Sequence, residues 1–228
     1  MQENVTIDGN LAETEIVVVL DRSGSMASIL ESTIQGFNTF LNEQKNAEGE
    51  AYITLVQFDD RYEIDYKSLP IKEAQELIAG VTFKPRGSTA LLDAIGKTIN
   101  ELETNRDVIF VIITDGHENA SREYKHEAIK KMIEERESKG GYKFIYLGAN
   151  QDAIAVGSTF GVKSANALSY GTGEEAVKMS YMSFSDNIRS YRGAKFSKSM
   201  SGEAISADAL FDMSATLDFN ETQREESK

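Results

Sequence analysis

Residues 16–25 read Ile16-Val17-Val18-Val19-Leu20-Asp21-Arg22-Ser23-Gly24-Ser25, and this stretch decides the fold class. A continuous apolar run is the signature of a central strand buried on both faces. The run breaks into a Gly-containing loop that carries a carboxylate and two hydroxyls at alternate positions, Asp21, Ser23 and Ser25. Open α/β sheets place ligand sites at the carboxyl edge of their strands. Hard divalent cations such as Mg2+ prefer oxygen ligands. The stretch therefore predicts a central strand with oxygen-only chemistry at its end.

Outward from it, apolar runs alternate with segments of helical period. Met26, Leu30, Ile34, Phe37 and Leu41 recur at spacings of three and four and predict a helix. Ala51–Phe58 reads as a strand, and Tyr62–Tyr66 as a short antiparallel partner across the Asp59-Asp60 turn. Pro70 can open a short helix to about Ala79, because proline is tolerated in a first turn. Leu91, Leu92, Ile95, Ile99 and Leu102 form another helical stripe. Val108–Ile113 is a second central strand ending in Thr114-Asp115-Gly116. A charged helix is expected over about 121–139, a strand over 142–147, a short helix over 152–160 and an edge strand over 167–170. Val177, Tyr181, Phe184, Ile188 and Tyr191 mark a last helical face. This alternation predicts a Rossmann-like, doubly wound α/β fold, with a mainly parallel sheet and helices on both faces.

The expected organisation is an N-terminal extension over 1–11, one domain over 12–192 and a tail over 193–228. The tail carries an apolar patch, from Leu210 and Phe211 to Leu217 and Phe219, that can pack back on the domain or dock a partner. A formal net charge of −13 argues against nucleic acid and anionic membrane surfaces as partners. The absence of cysteine excludes disulfides, Cys zinc sites and thiol catalysis. The start has no basic or apolar leader character, and no apolar run approaches the roughly 20 residues of a spanning helix. A cytoplasmic location is the expectation.

Parallel topology brings three separate loops to one sheet edge. They hold Asp21, Ser23 and Ser25; then Gly87-Ser88-Thr89; then Asp115. Two carboxylates and three hydroxyls leave room around a six-coordinate Mg2+ for water and one exogenous ligand. Each residue has a plainer reading alone: Ser, Thr and Asp are common helix caps, and Asp before Gly is a common turn residue.

The pattern Asp21-x-Ser23-x-Ser25, then Thr89, then Asp115-Gly116, resembles the metal-ion-dependent adhesion site of the von Willebrand factor A domain family. The surrounding IVVVLDRSGSM, GSTALLDAI and VIFVIITDG are similar to that family's three signature loops, and the resemblance covers roughly residues 12–192. It implies a mostly parallel sheet with one short antiparallel edge strand. It also implies metal contact through the hydroxyls of Ser23, Ser25 and Thr89, with Asp21 and Asp115 acting directly or through water. The implied metal is Mg2+, with Mn2+ or Ca2+ as alternatives. The implied activity is capture of a protein partner's carboxylate without turnover. The chain looks most like the free-standing, intracellular prokaryotic or phage members. In that group the partners are often an AAA+ ATPase, a chelatase or a kinase.

The competing expectation is a metal-assisted hydrolase or phosphotransferase at the same edge. A serine nucleophile needs a base within reach, and only His117 could approach. An aspartyl phosphotransferase usually shows a second Asp where Ser23 stands. Arg22 could steer an acidic partner or simply lie on the surface. His117 and Glu118 are expected to face solvent, with a rim role as the alternative. His126 is expected at the surface, and Asp59 and Asp60 in the hairpin turn.

Overall fold

The computed structural model describes residues 13–201, 205 and 207–228. The extension expected over 1–11 lies outside the described residues. Six strands form one sheet in the order β3-β2-β1-β4-β5-β6. They are β1 (Thr14–Asp21), β2 (Ala51–Phe58), β3 (Tyr62–Pro70), β4 (Asp107–Thr114), β5 (Tyr142–Ala149) and β6 (Ala167–Tyr170). All neighbours pair in parallel except β2 and β3. The fold is thus the expected α/β architecture with one antiparallel edge strand. β3 runs on to Pro70, past the predicted Tyr66, through an irregular register.

Every residue of β1 and β4 is buried, because helices cover both faces. Ile16, Val18 and Leu20 point to one core cluster, with Ile109, Val111 and Ile113 of β4. Helices α1 (Leu30–Asn46) and α5 (Glu174–Met200) complete it. Val17 and Val19 point to the other cluster, with α2 (Leu91–Glu101), α3 (His126–Ser138) and α4 (Ala153–Thr159). The period-2 alternation of a strand thus serves two cores at once.

Two helical expectations are corrected. After Pro70 there is only a single 3-10 turn, Ile71–Glu73, and then extended chain. Side chains from α1 take the backbone groups that a helix would have used. Asn38 bonds both the N–H and the C=O of Leu77, at 2.8 and 3.0 Å, and Lys45 reaches the Ala74 carbonyl at 2.6 Å. Helix α3 begins at His126, not near Ser121. The N–H groups of Arg122, Glu123 and Tyr124 instead donate to the carboxylate of Asp93. Within α3, Ile129 and Ile133 are buried and Ala128 is exposed.

Helix α5 continues through residue 192 to Met200. Beyond it lie α6 (Ala207–Ser214), a 3-10 turn and α7 (Glu221–Glu226). Leu210, Leu217 and Phe219 are buried in the α1/α5 core, and Phe211 is exposed. Arg224 donates to the carbonyls of Ser164, Ala165 and Ala167, so the C-terminal segment straps the outer edge of the sheet at β6. An uncovered edge strand would be a template for unwanted pairing.

Candidate metal centre

The direction of winding reverses between β1 and β4, because the chain fills one side of β1 with β2 and β3 and then the other side with β4, β5 and β6. Such a switch point opens a crevice at the carboxyl ends of the two strands. Asp21 ends β1, and Asp115 immediately follows β4.

The Asp21 carboxylate is fully buried. One oxygen accepts the Ser23 N–H at 2.6 Å, and the other accepts the Thr114 hydroxyl at 2.6 Å. Ser25 Oγ donates to Asp115 Oδ1 at 2.6 Å, so Ser23 is the donor in its 3.1 Å contact with Ser25. Thr89 is held through its backbone, whose N–H donates to Asn119 Oδ1 at 2.9 Å and whose C=O accepts from Asn119 and Ala120. The loops also bond to each other: Arg86 N–H donates to Arg22 O at 2.8 Å and Gly24 N–H to Gly87 O at 3.2 Å. Gly87 has a φ of +68°, a conformation that favours glycine.

Gly116 locates the point where these groups converge. A Cβ placed on it would lie 2.7 Å from Thr89 Oγ1 and 3.4 Å from both Asp21 Oδ2 and Ser25 Oγ. Oxygens from the first two loops therefore surround one small space beside the third, which only a residue without a side chain leaves open. Asp21, Ser23 and Thr89 are buried, Asp115 is half-buried and Ser25 is exposed, so the cradle opens to solvent on one side. All five residues named from the sequence are brought to one place.

Burial raises the Asp21 carboxyl to about 6, against the hydrogen bonds from Thr114 and Ser23. Burial also raises Asp115, against the hydrogen bond from Ser25. Neither forms an ion pair with a Lys, Arg or His among the described residues. No group of three His, Cys, Asp or Glu side chains clusters as metal ligands would among the described residues. The donor set is instead two carboxylates and three hydroxyls, all oxygen, which suits a hard cation.

Arg22 does not lie on the surface. It is buried, with Nε 3.1 Å from Asp59 Oδ2 and a second nitrogen 2.7 Å from Glu63. Arg86 binds the same two carboxylates at 2.7 and 2.6 Å. This four-residue cluster pins loops one and two to the β2–β3 hairpin. Asp59 keeps its turn position and also anchors that cluster. Glu118 serves neither solvent nor rim. Its carboxylate accepts the N–H groups of Leu92, Ala120 and Ser121, and so joins loop three to the start of α2. His117 is exposed; His126 is also exposed and stacks on Phe160.

Thr114, Asn119 and Asp93 were missed as organisers of the site. Strand pairing could have found Thr114, since Leu20 lies beside Ile113 and Asp21 therefore beside Thr114. No local signal marks Asn119 or Asp93.

The von Willebrand factor type A domain family matches residues 15–156. No curated protein sequence matches the chain. Among solved structures, the pilus adhesin SpaC from Lactobacillus rhamnosus GG is similar at 14% identity and a TM-score of 0.61, over 79% of this chain and 30% of that one. The ArnB paralog VWA2 from Sulfolobus acidocaldarius is similar at 16% identity and a TM-score of 0.54, over 75% and 44%. Proximal thread matrix protein 1 from the mussel byssus, in a structure with a zinc-occupied MIDAS motif, is similar at 14% identity and a TM-score of 0.55, over 76% and 47%. This chain spans less than half the length of each of them. At these identities the likeness is one of fold.

Proposed function

The chain belongs to the von Willebrand factor type A family, and from that membership we propose that it is a divalent-cation-dependent protein-binding module. The observation that carries the proposal is the cradle at Gly116, where oxygens of Asp21, Ser25 and Thr89 converge while neither Asp21 nor Asp115 has a cationic partner among the described residues. Asp21, Ser23, Ser25, Thr89 and Asp115 would hold the ion. Mg2+ is the expected occupant, with Mn2+ or Ca2+ as substitutes. Bound there, the ion supplies a positive charge that can bridge to a carboxylate of another protein.

Binding is better supported than turnover. A nucleophilic serine needs a neighbouring base. Neither histidine hydrogen-bonds Ser23 or Ser25, and the Ser25 hydroxyl donates to Asp115. Among the described residues no helix is long and apolar enough to cross a membrane. We place the chain with the free-standing prokaryotic or phage members, in the cytoplasm, where an AAA+ ATPase, a chelatase or a kinase would offer the carboxylate.

Calorimetric titration of chelator-treated protein with MgCl2 and MnCl2 tests the centre. Wild type should bind one ion, while Asp21→Ala and Asp115→Ala should not bind, with their unfolding transitions retained. Unchanged binding in both variants overturns the site. Pull-down from native lysate then tests capture. A partner lost on chelation and with Asp115→Ala supports the function; a set of partners indifferent to both removes it.

A further inference from the structure

Beside the candidate metal centre lies a second concavity of about 700 Å3. Phe58 and Tyr62 line it from the β2–β3 hairpin, and Ser88, Asn119 and Ala120 line it from the loops that hold Thr89. Asn119 and Ala120 are the residues bonded to the Thr89 backbone, so the cleft and the metal centre share a wall. Its volume falls within the roughly 300–1,000 Å3 range of ligand pockets.

The charges lining the cleft fall into two groups. Asp93 is engaged, since its two oxygens accept the N–H groups of Arg122, Glu123 and Tyr124. Lys97 and Glu123 pair at 2.7 Å. Arg61 and Arg122 also line the cleft, are exposed, and form no ion pair among the described residues. Of the carboxylates lining it, only Asp60 stays unpaired among the described residues, and it packs against Gly87 on the metal-centre side. Two free guanidinium groups are thus gathered in one cleft of a chain whose net charge is −13. That net charge repels acidic segments at long range, so capture of one needs local cations. Guanidinium groups present forked donors that match a carboxylate.

We propose that this cleft receives a second acidic side chain of the partner, held by Arg61 and Arg122, from the same segment whose first carboxylate is taken at the metal centre. The inference rests on the proposed metal-dependent capture and adds the partner's chemistry: an extended segment with two acids at fixed spacing. An extended chain advances about 3.5 Å per residue, so a second acid two to four residues on reaches roughly 7–14 Å.

The test uses the full chain in saturating Mg2+ and Gly-flanked peptides. One peptide carries a single Asp; the others carry a second Glu, or a control Gln, two, three or four residues later. Calorimetry and amide chemical shifts give the affinities. At one spacing Glu should tighten binding roughly tenfold over Gln, a typical increment for charge-assisted hydrogen bonds. The gain should vanish in Arg61→Ala/Arg122→Ala, with single-Asp binding and Mg2+ binding unchanged. No gain from the second acid, or a gain that survives the double variant, overturns the inference, and single-Asp binding then still supports the metal-dependent reading. Absence of Mg2+-dependent binding by every peptide overturns both.

Discussion

Asp21 and Asp107 are both fully buried carboxylates at the ends of central strands, and they stand in opposite surroundings. Asp107 begins β4, at the amino edge of the sheet. Lys143 binds one of its oxygens at 2.6 Å, while Lys195 and Tyr191 bind the other at 2.9 and 2.7 Å. Lys195, itself buried, also bonds Thr14 and the Glu13 carbonyl. Burial works against ionisation of Asp107, but the two ammonium groups outweigh it and hold its carboxyl below the ordinary range. Asp21, at the opposite edge, accepts the Thr114 hydroxyl and the Ser23 N–H, has no ion pair among the described residues, and is pushed up by burial. The nearest arginine along the chain, Arg22, is turned to Asp59 and Glu63. One end of the sheet is closed, with its charges matched by the chain's own side chains. At the other, the buried carboxylate of Asp21 has no cationic partner among the described residues. Burial alone does not distinguish a structural carboxylate from a binding one; its partners do.

The sharpest way to break the contrast is at the closed end. Asp107→Ala leaves two ammonium groups and a phenol without their acceptor, and should cost about 3–5 kcal/mol by urea unfolding. A loss as small as that of an exposed carboxylate would show that the two ends do not differ. At the open end the effect should come from the ion. Mg2+ at one hundred times its Kd should stabilise wild type by about 2.7 kcal/mol in thermal unfolding, and Asp21→Ala or Asp115→Ala not at all. Gly116→Ala should fill the cradle and abolish that Mg2+ response, at a cost of about 1–3 kcal/mol to the metal-free protein. A variant that keeps the response would show that the converging oxygens do not form the site.

The smallest expected effect belongs to the cluster beside the open end. The guanidinium of Arg22, and then that of Arg86, hold the Glu63 carboxyl down from the ordinary 4.5 to about 2. Its folded-state value lies below the unfolded one. Its stabilisation is therefore present above the unfolded value and is lost as pH falls from about 4.5 towards about 2. The side chain is 45% exposed, and solvent screening keeps the effect under about 1 kcal/mol. Comparison of acid unfolding in wild type and Glu63→Gln should show the difference above pH 4.5 and its disappearance near pH 2. A difference that grows on acidification would reverse the sign.

The fold was largely legible because its signals are local. The apolar runs at Ile16–Leu20 and Val108–Ile113 and the helical stripe from Leu91 each lie within one element, and the strands and helices form there. The shared address of the five candidate residues was legible because each stands at a strand end or near a helix entry, where parallel topology brings loops together. The segment after Pro70 was misread because its backbone partners, Asn38 and Lys45, lie about thirty or more residues earlier in α1. Glu118 was misread because an exposed loop carboxylate and a carboxylate accepting three N–H groups have the same local sequence.

The sequence by itself determined the α/β class, the two central strands and the identity of the oxygens at the sheet edge. Those follow from hydrophobic period and from side-chain type, which neighbouring residues set. Only the tertiary structure decided where charges found partners: Arg22 with Asp59, 37 residues apart, and Lys195 with Asp107, 88 residues apart. It also decided that the segment after residue 206 straps the β6 edge. The physical reason is that an ionic or backbone partner is chosen by distance in space after the chain has packed. Asp21 was visible from the start as a candidate ligand, but its lack of a cationic partner among the described residues could be seen only in the packed chain, where the neighbouring Arg22 turns to Asp59 and Glu63.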